Sequence, residues 1–130
     1  MIYIYTDCSL SKINNYYTKA AVIVKDHHII EILYKYYKKK LIQYDSNYYE
    51  RVTYKWAIKK VLRKYSDDIM VFCDNKQAVK KGYREYKIKW VSSSRNFKRC
   101  KLKHKFMKLA DYISKHGLDE KWKEWWHDKL

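Results

Sequence analysis

The sequence predicts an α/β fold in which a five-stranded mixed sheet, three antiparallel strands followed by parallel ones, is flanked by helices. Three observations predict it. Strand-like runs with period-two alternation open the chain. One long apolar stripe repeats at helical spacing in the middle, at Tyr54, Ala57, Ile58, Val61, Leu62 and Tyr65. Strand-like runs then return, separated by helical segments, as parallel crossovers require.

Each element has a local reason. Residues 2–6 form the first strand, with Ile2, Ile4 and Thr6 on one face and Tyr3, Tyr5 and Asp7 on the other. Residues 9–15, SLSKINN, read as a loop because Ser and Asn favour turns. AAVIVK, residues 20–25, is the second strand, and Asp26-His27-His28 a hairpin turn. IIEILYKYYK, residues 29–38, is the third strand, alternating at Ile30, Ile32 and Tyr34. Asp45, Ser46 and Asn47 offer N-cap side chains to the long helix, which Ser66-Asp67-Asp68 ends. DIMVFCD, residues 68–74, is a fourth strand apolar enough to be buried on both faces. NKQAVKKGY is a short helix stopped by Gly82, and KIKWVS, residues 87–92, a fifth strand. After the basic loop SSSRNFKRCK, residues 102–116 are helical, with a stripe at Leu102, Phe106, Leu109 and Ile113. A last helix places Trp122, Trp125, Trp126 and Leu130 on one side.

The 130 residues suit one domain over 1–116, with 117–130 as a Trp-rich helix packed on it or on a partner. Lys plus Arg number 30 against 14 Asp plus Glu, a formal charge of +16. Such an excess points to a polyanion, because Lys and Arg release counterions from phosphates. AT-rich coding explains abundant Lys, Tyr, Ile and Asn but not the scarcity of acids. Cys8, Cys73 and Cys100 form no CxxC pair, which argues against a disulfide framework or structural zinc; free thiols suit a reducing, cytoplasmic setting. Residues 1–20 lack a signal-peptide pattern, and no apolar run approaches the roughly 20 residues of a membrane span.

Two strands end on an acid in the same way, at Thr6-Asp7 and Cys73-Asp74. Side by side and parallel, they bring both carboxylates to one sheet edge, where open α/β sheets bind ligands. Glu50 precedes Tyr54, Ala57 and Ile58 by four, seven and eight residues, so it shares the sheet-facing stripe of the long helix rather than the solvent face. A bland alternative is an acid in the first helical turn offsetting the dipole. Converging carboxylates repel, which raises pKa unless a cation intervenes; Mg²⁺ prefers oxygen ligands, and two such ions can serve phosphodiester hydrolysis.

In this order, strand-Thr6-Asp7-Cys8-Ser9, helix-Glu50 and strand-Asp74-Asn-Lys-Gln-Ala-Val resemble the ribonuclease H family of type 1. Lys-Leu-Ala110-Asp111-Tyr-Ile-Ser, following a strand that ends Trp90-Val91, is similar to the family's helix with the fourth acid. The resemblance covers residues 1–116. It implies a ribonuclease H-like fold, two ions of Mg²⁺ or Mn²⁺ held by Asp7, Glu50, Asp74 and Asp111, and endonucleolytic cleavage of RNA in an RNA–DNA hybrid. It also implies a product-release histidine, for which His104 is the candidate, although its loop has no Gly and it lies close to Asp111. Cys8 stands where the family has Gly, and residues 75–86 leave no room for the extra basic helix of some members, so the domain is reduced in size. Asp111 falls off the stripe of its own helix and reads equally well as a solvated residue. Asp119, Glu120, Glu124 and Asp128 read as surface charges.

Lys80, Lys81, Arg84, Arg95, Lys98, Arg99 and Lys101 crowd one region with Tyr83, Tyr86, Trp90 and Phe97, a mixture suited to phosphates and stacked bases. The Lys run after Tyr34 instead protects a sheet edge. The Trp stripe reads as core packing, with a protein partner or dimer as the alternative. Two further functions stay open: a related nuclease acting on branched or single-stranded DNA, and an inactive nucleic-acid-binding member. A lone Asp111 leans against a resolvase relative, and Ser9 two residues after Asp7 against an exonuclease relative.

Overall fold

The computed structural model describes residues 1–41, 45–93 and 101–130. In chain order the elements are β1 (Ile2–Ser11), β2 (Tyr16–Lys25), β3 (His28–Lys38), α1 (Ser46–Lys64), β4 (Ile69–Cys73), α2 (Lys76–Lys81), β5 (Lys87–Trp90), α3 (Leu102–His116) and α4 (Trp122–Lys129). They form one sheet ordered β3-β2-β1-β4-β5. β1, β2 and β3 are antiparallel, and β4 and β5 join parallel to β1. This is the predicted mixed sheet.

Alternation along β1 sorts the core into two layers. Ile2 and Ile4, with Ala21, Ile23, Val71 and Cys73, pack under Tyr54, Ala57, Ile58 and Val61 of α1. Tyr5, with Val22, Val24 and Phe72, packs under Phe106, Leu109 and Ile113 of α3 and Trp126 of α4. Each such fully buried side chain contributes about 1.5–3 kcal/mol of transfer free energy. Trp126 stacks on Phe106 with 5.5 Å between ring centres, and Trp125 on Tyr112 at 4.6 Å. The Trp stripe therefore packs on its own chain, and Leu130 lies exposed beyond it.

Several boundaries differ from the sequence expectation. β1 runs on to Ser11, and β2 starts at Tyr16, so Ser9, Leu10 and Ser11 of SLSKINN are strand and only residues 12–15 turn. β2 begins four residues before the expected Ala20, where Tyr17 stacks on Tyr37 of β3 with 4.5 Å between ring centres. β5 stops at Trp90 rather than residue 92, and the last helix begins only at Trp122. Leu62 and Leu102 lie at the edges of their stripes and are exposed. The expected turn at Asp26-His27 is present; both residues have positive φ, 52° and 66°, as a two-residue primed turn demands.

Tyr54 ties α1 to the segment after β4. Its hydroxyl donates to the carbonyl oxygens of Ala78 within α2, at 3.0 Å, and of Gly82 just past its end, at 3.1 Å. Tyr54→Phe leaves the ring packed but strands those acceptors. Its expected cost is about 1–2 kcal/mol, read as a lowered denaturation midpoint with unchanged slope. No measurable loss would show that α2 does not depend on this contact.

Candidate metal centre

β1 and β4 pair in parallel only as far as Thr6 opposite Cys73. Asp7 and Asp74 are the next residues on each strand. From there β1 continues beside β2 alone, because β4 has ended. The notch between the two strands is where the carboxylates meet. Asp7 follows Tyr5 by two residues and so emerges on the α3 side, whereas Cys8 and Cys73 emerge on the α1 side.

Glu50 arrives from α1. Asp45 caps that helix through its carboxylate, which accepts from Asn47 N at 2.9 Å. Glu50 thus lies in the fifth helical position, past the first turn, and is only 6% exposed. Its place on the sheet-facing stripe, not the helix dipole, accounts for it. Both its oxygens are engaged by thiols: Cys8 Sγ lies 3.3 Å from Oε1 and Cys73 Sγ 3.5 Å from Oε2. Glu50, Cys73 and Asp74 each place a donor atom within 4.8 Å of the others.

Asp74 is held at the end of β4. Ser93 Oγ donates to its Oδ2 at 2.9 Å, and Trp90 Nε1 donates to its backbone carbonyl at 3.0 Å. Asn75 next to it caps α2 by accepting from Ala78 N at 2.9 Å. Asp7 is 4% exposed, and its Oδ1 accepts from Cys8 N at 2.8 Å. Asp111 approaches from α3 and pairs with Lys115, one turn on, at 3.3 Å.

Electrostatics show how closely the acids crowd. Burial, then the Glu50 and Asp74 charges, holds the Asp7 carboxyl well above the ordinary range, and hydrogen bonding to Glu50 and Asp111 adds to it. Burial and then Asp74 push Glu50 up to about 7, against the lowering effect of hydrogen bonds from Asp7, Cys8 and Cys73. Asp74 is also raised, first by burial, with Asp111 adding to it and Ser93 opposing. Burial first and Glu50 next raise both thiols, so Cys8 and Cys73 stay neutral donors.

Asp7, Glu50, Asp74 and Asp111 are thus brought together, as the shifts in Asp7 and Asp74 require. Crowded, buried carboxylates whose ionisation is opposed for want of countercharge fit a hard divalent cation, and the neutral thiols leave the carboxylate oxygens as its natural ligands.

The other sequence candidates are placed as follows. His104 is buried in the first turn of α3 with Nδ1 2.9 Å from the Ser92 carbonyl oxygen, seven residues or about 10 Å of helix from Asp111. Lys80 and Lys81 are exposed in the last turn of α2, and Arg84 lies 5.1 Å from the Tyr83 ring centre. Lys101 is exposed just before α3. Arg95, Lys98, Arg99, Phe97 and Cys100 lie outside the described residues. Asp119 accepts from the Tyr112 hydroxyl and from Lys121 N, a local structural use. The thiol partners of Glu50 were missed in the sequence, although adjacency of Cys8 and Cys73 to the two strand-end acids was the available signal. Ser93 carried no signal, since its position depends on β5 ending early.

The fold is ribonuclease H-like, and it carries an acidic group able to hold a metal ion. No family model matches the chain, and no curated protein matches it in sequence. Among solved structures it is similar to the crystal structure of the prototype foamy virus protease-reverse transcriptase, with a TM-score of 0.69 and 12% identity. That likeness covers 89% of this chain and 20% of the viral one, so the chain spans about a fifth of its neighbour's length, and the likeness is one of fold. Among the described residues no helix is long and apolar enough to cross a membrane.

Proposed function

We propose that the protein is a metal-dependent endonuclease that hydrolyses the RNA strand of RNA–DNA hybrids. The supporting observation is the convergence of Asp7, Glu50, Asp74 and Asp111 on one notch of a ribonuclease H-like sheet, where burial and neighbouring carboxylates raise the pKa of each of the first three. These four residues would hold two divalent ions, Mg²⁺ or Mn²⁺, which when bound activate a water and stabilise the leaving oxygen of a phosphodiester.

The chain's own groups prepare that chemistry. Cys8 and Cys73 fix the Glu50 carboxylate from both sides, and Ser93 fixes Asp74. Lys115 at the rim offsets part of the negative charge around Asp111 and Asp74. Lys76, whose ammonium lies 4.5 Å from the centre of the exposed Trp90 ring, stands two residues after Asp74 and suits a phosphate beside a stacked sugar or base. Lys80, Lys81, Arg84 and Lys101, with Arg95, Lys98 and Arg99, extend the positive surface along the substrate. His104, tied to the Ser92 carbonyl, anchors α3 in this proposal and is not assigned to product release.

The test is a labelled RNA–DNA hybrid offered beside double-stranded RNA and junction DNA, with Mg²⁺ or Mn²⁺. The wild type is expected to cut the RNA of the hybrid, and Asp74→Asn to leave it intact. Cleavage of junctions alone moves the substrate to branched DNA. Salt-sensitive binding without any cleavage defines an inactive binding protein and sinks the proposal.

A further inference from the structure

A second charged feature, of opposite sign, runs along the outer side of α1. A cleft of about 370 Å³ runs between β2 and the outer side of α1, lined by Lys19, Val52, Lys55, Trp56, Lys59, Lys60 and Arg63. Five of its seven lining residues are cationic and none is acidic. Among the described residues no ion pair engages any of the five, and residues 42–44 and 94–100 contain no carboxylate that could.

Lys19 forms the floor. It is 7% exposed, and its ammonium faces three rings, 4.7 Å from the centre of Tyr37, 5.5 Å from Trp56 and 6.0 Å from Tyr17. Rings partly offset the desolvation of that charge but do not neutralise it. Burial, Arg51 and Lys59 together lower the Lys55 pKa, as uncompensated positive potential does, and the nearby Arg51 Nε is buried without a hydrogen-bond partner. Lys55, Lys59 and Arg63 follow one another at four-residue steps, a ladder of cations about 6 Å apart along the helix. Such a ladder suits a ligand that carries a negative charge on every unit, as a chain of phosphates does, better than an acidic peptide with irregular charges.

The cleft also begins beside the acids. Lys19 is the cross-strand partner of Cys8, so the two side chains share the sheet face on which Cys8 reaches Glu50. We propose that the β2–α1 cleft holds consecutive phosphates of a polyanionic chain. This rests on the nucleic-acid reading above for its preferred source, a strand of the substrate leaving the metal notch along α1; free polyphosphate shares the chemistry.

The test uses the full chain in the Asp74→Asn background, so that binding is read without cleavage. Lys55→Ala, Lys59→Ala and Arg63→Ala are combined and compared with a control, Lys121→Ala, Lys123→Ala and Lys129→Ala, which removes the same charge near α4. Lys59 and Arg63 are exposed and Lys55 is half-buried, and circular dichroism checks the fold. Binding of a labelled RNA–DNA hybrid is measured against salt. The cleft variant is expected to lower the slope of log K against log salt by about 2–3, one per lost phosphate contact, and the control by less than 1. Equal slopes for the two variants overturn the proposal. A parallel titration with sodium tripolyphosphate separates the sources: tripolyphosphate binding lost only in the cleft variant, with an unchanged hybrid slope, assigns the cleft to free polyphosphate. An enzyme that fails to cut hybrid while its cleft variant loses slope refutes the nuclease proposal alone.

Discussion

Asp7→Asn is expected to stabilise the metal-free protein at pH 8 and at the same time to abolish hydrolysis. Asp7 is buried, and burial with the charges of Glu50 and Asp74 opposes its ionisation. In the unfolded chain at pH 8 the same carboxyl is ionised and hydrated, so folding must either bury a charge or take up a proton. Asn does neither. Its carbonyl can still accept from Cys8 N, as Asp7 Oδ1 does at 2.8 Å, and its amide can donate to Glu50 or Asp111. Effective desolvation costs are several kcal/mol per ion, so a gain on the order of 2 kcal/mol is expected. For a domain of this size that is a melting temperature higher by roughly 6–10 °C. Activity should fall by about 10³-fold or more, because the charge stabilisation supplied through the carboxylate is worth several kcal/mol and each 1.4 kcal/mol is tenfold. Thermal melts in chelator and hybrid hydrolysis in Mg²⁺ read the two effects. A variant that melts lower at pH 8 would refute the electrostatic account, and one that still cuts would remove Asp7 from the reaction.

The metal-free protein should also lose stability as pH rises through neutrality, and divalent ions should restore it. The sign follows from Glu50, raised from 4.5 to about 7. Between those values the folded state holds a proton that the unfolded state has released, so stability falls with increasing pH. The contribution is complete below about pH 4.5 and gone above pH 7, a difference on the order of 3 kcal/mol. Asp7 and Asp74 are shifted in the same direction and add to it. Asp67 works oppositely: its hydrogen bond with Lys25, 2.9 Å long, lowers its pKa, so its small surface contribution is lost as pH falls through the folded value. At pH 8 a cation replaces the missing protons, and saturation at a hundred times the dissociation constant adds about 2.7 kcal/mol. At pH 5, below the raised Glu50 value, a proton already offsets part of the charge and the same Mg²⁺ should add less. Melts at pH 5 and pH 8, each with Mg²⁺ or chelator, make the comparison. A Mg²⁺ effect of equal size at both pH values would mean that the ion does not bind in place of those protons.

Much of the sheet could be read from local pattern. Period-two alternation placed Ile2 and Ile4 opposite Tyr3 and Tyr5, and the helical stripe of α1 placed Tyr54, Ala57, Ile58 and Val61 inward, because burial and periodicity act over a few neighbouring residues. Strand ends were less legible. β2 outruns its propensity where Tyr17 stacks on Tyr37 of the neighbouring strand, a contact between residues twenty positions apart. Lys55, Lys59, Lys60 and Arg63 were visible as cations on the outer face of a helix, but Lys19 was not visible as their neighbour, since that depends on strand pairing.

The sequence by itself determined the order of the elements, the inward face of Glu50 and the ending of two strands on Asp7 and Asp74. All of these follow from spacing along the chain. Only the tertiary structure decided that β1 and β4 lie adjacent with pairing ending one residue before those acids, that Asp111 comes within their reach, and that two thiols bracket Glu50. The physical reason is that distance between charges in space, not their separation in sequence, sets their repulsion and the cation that would relieve it.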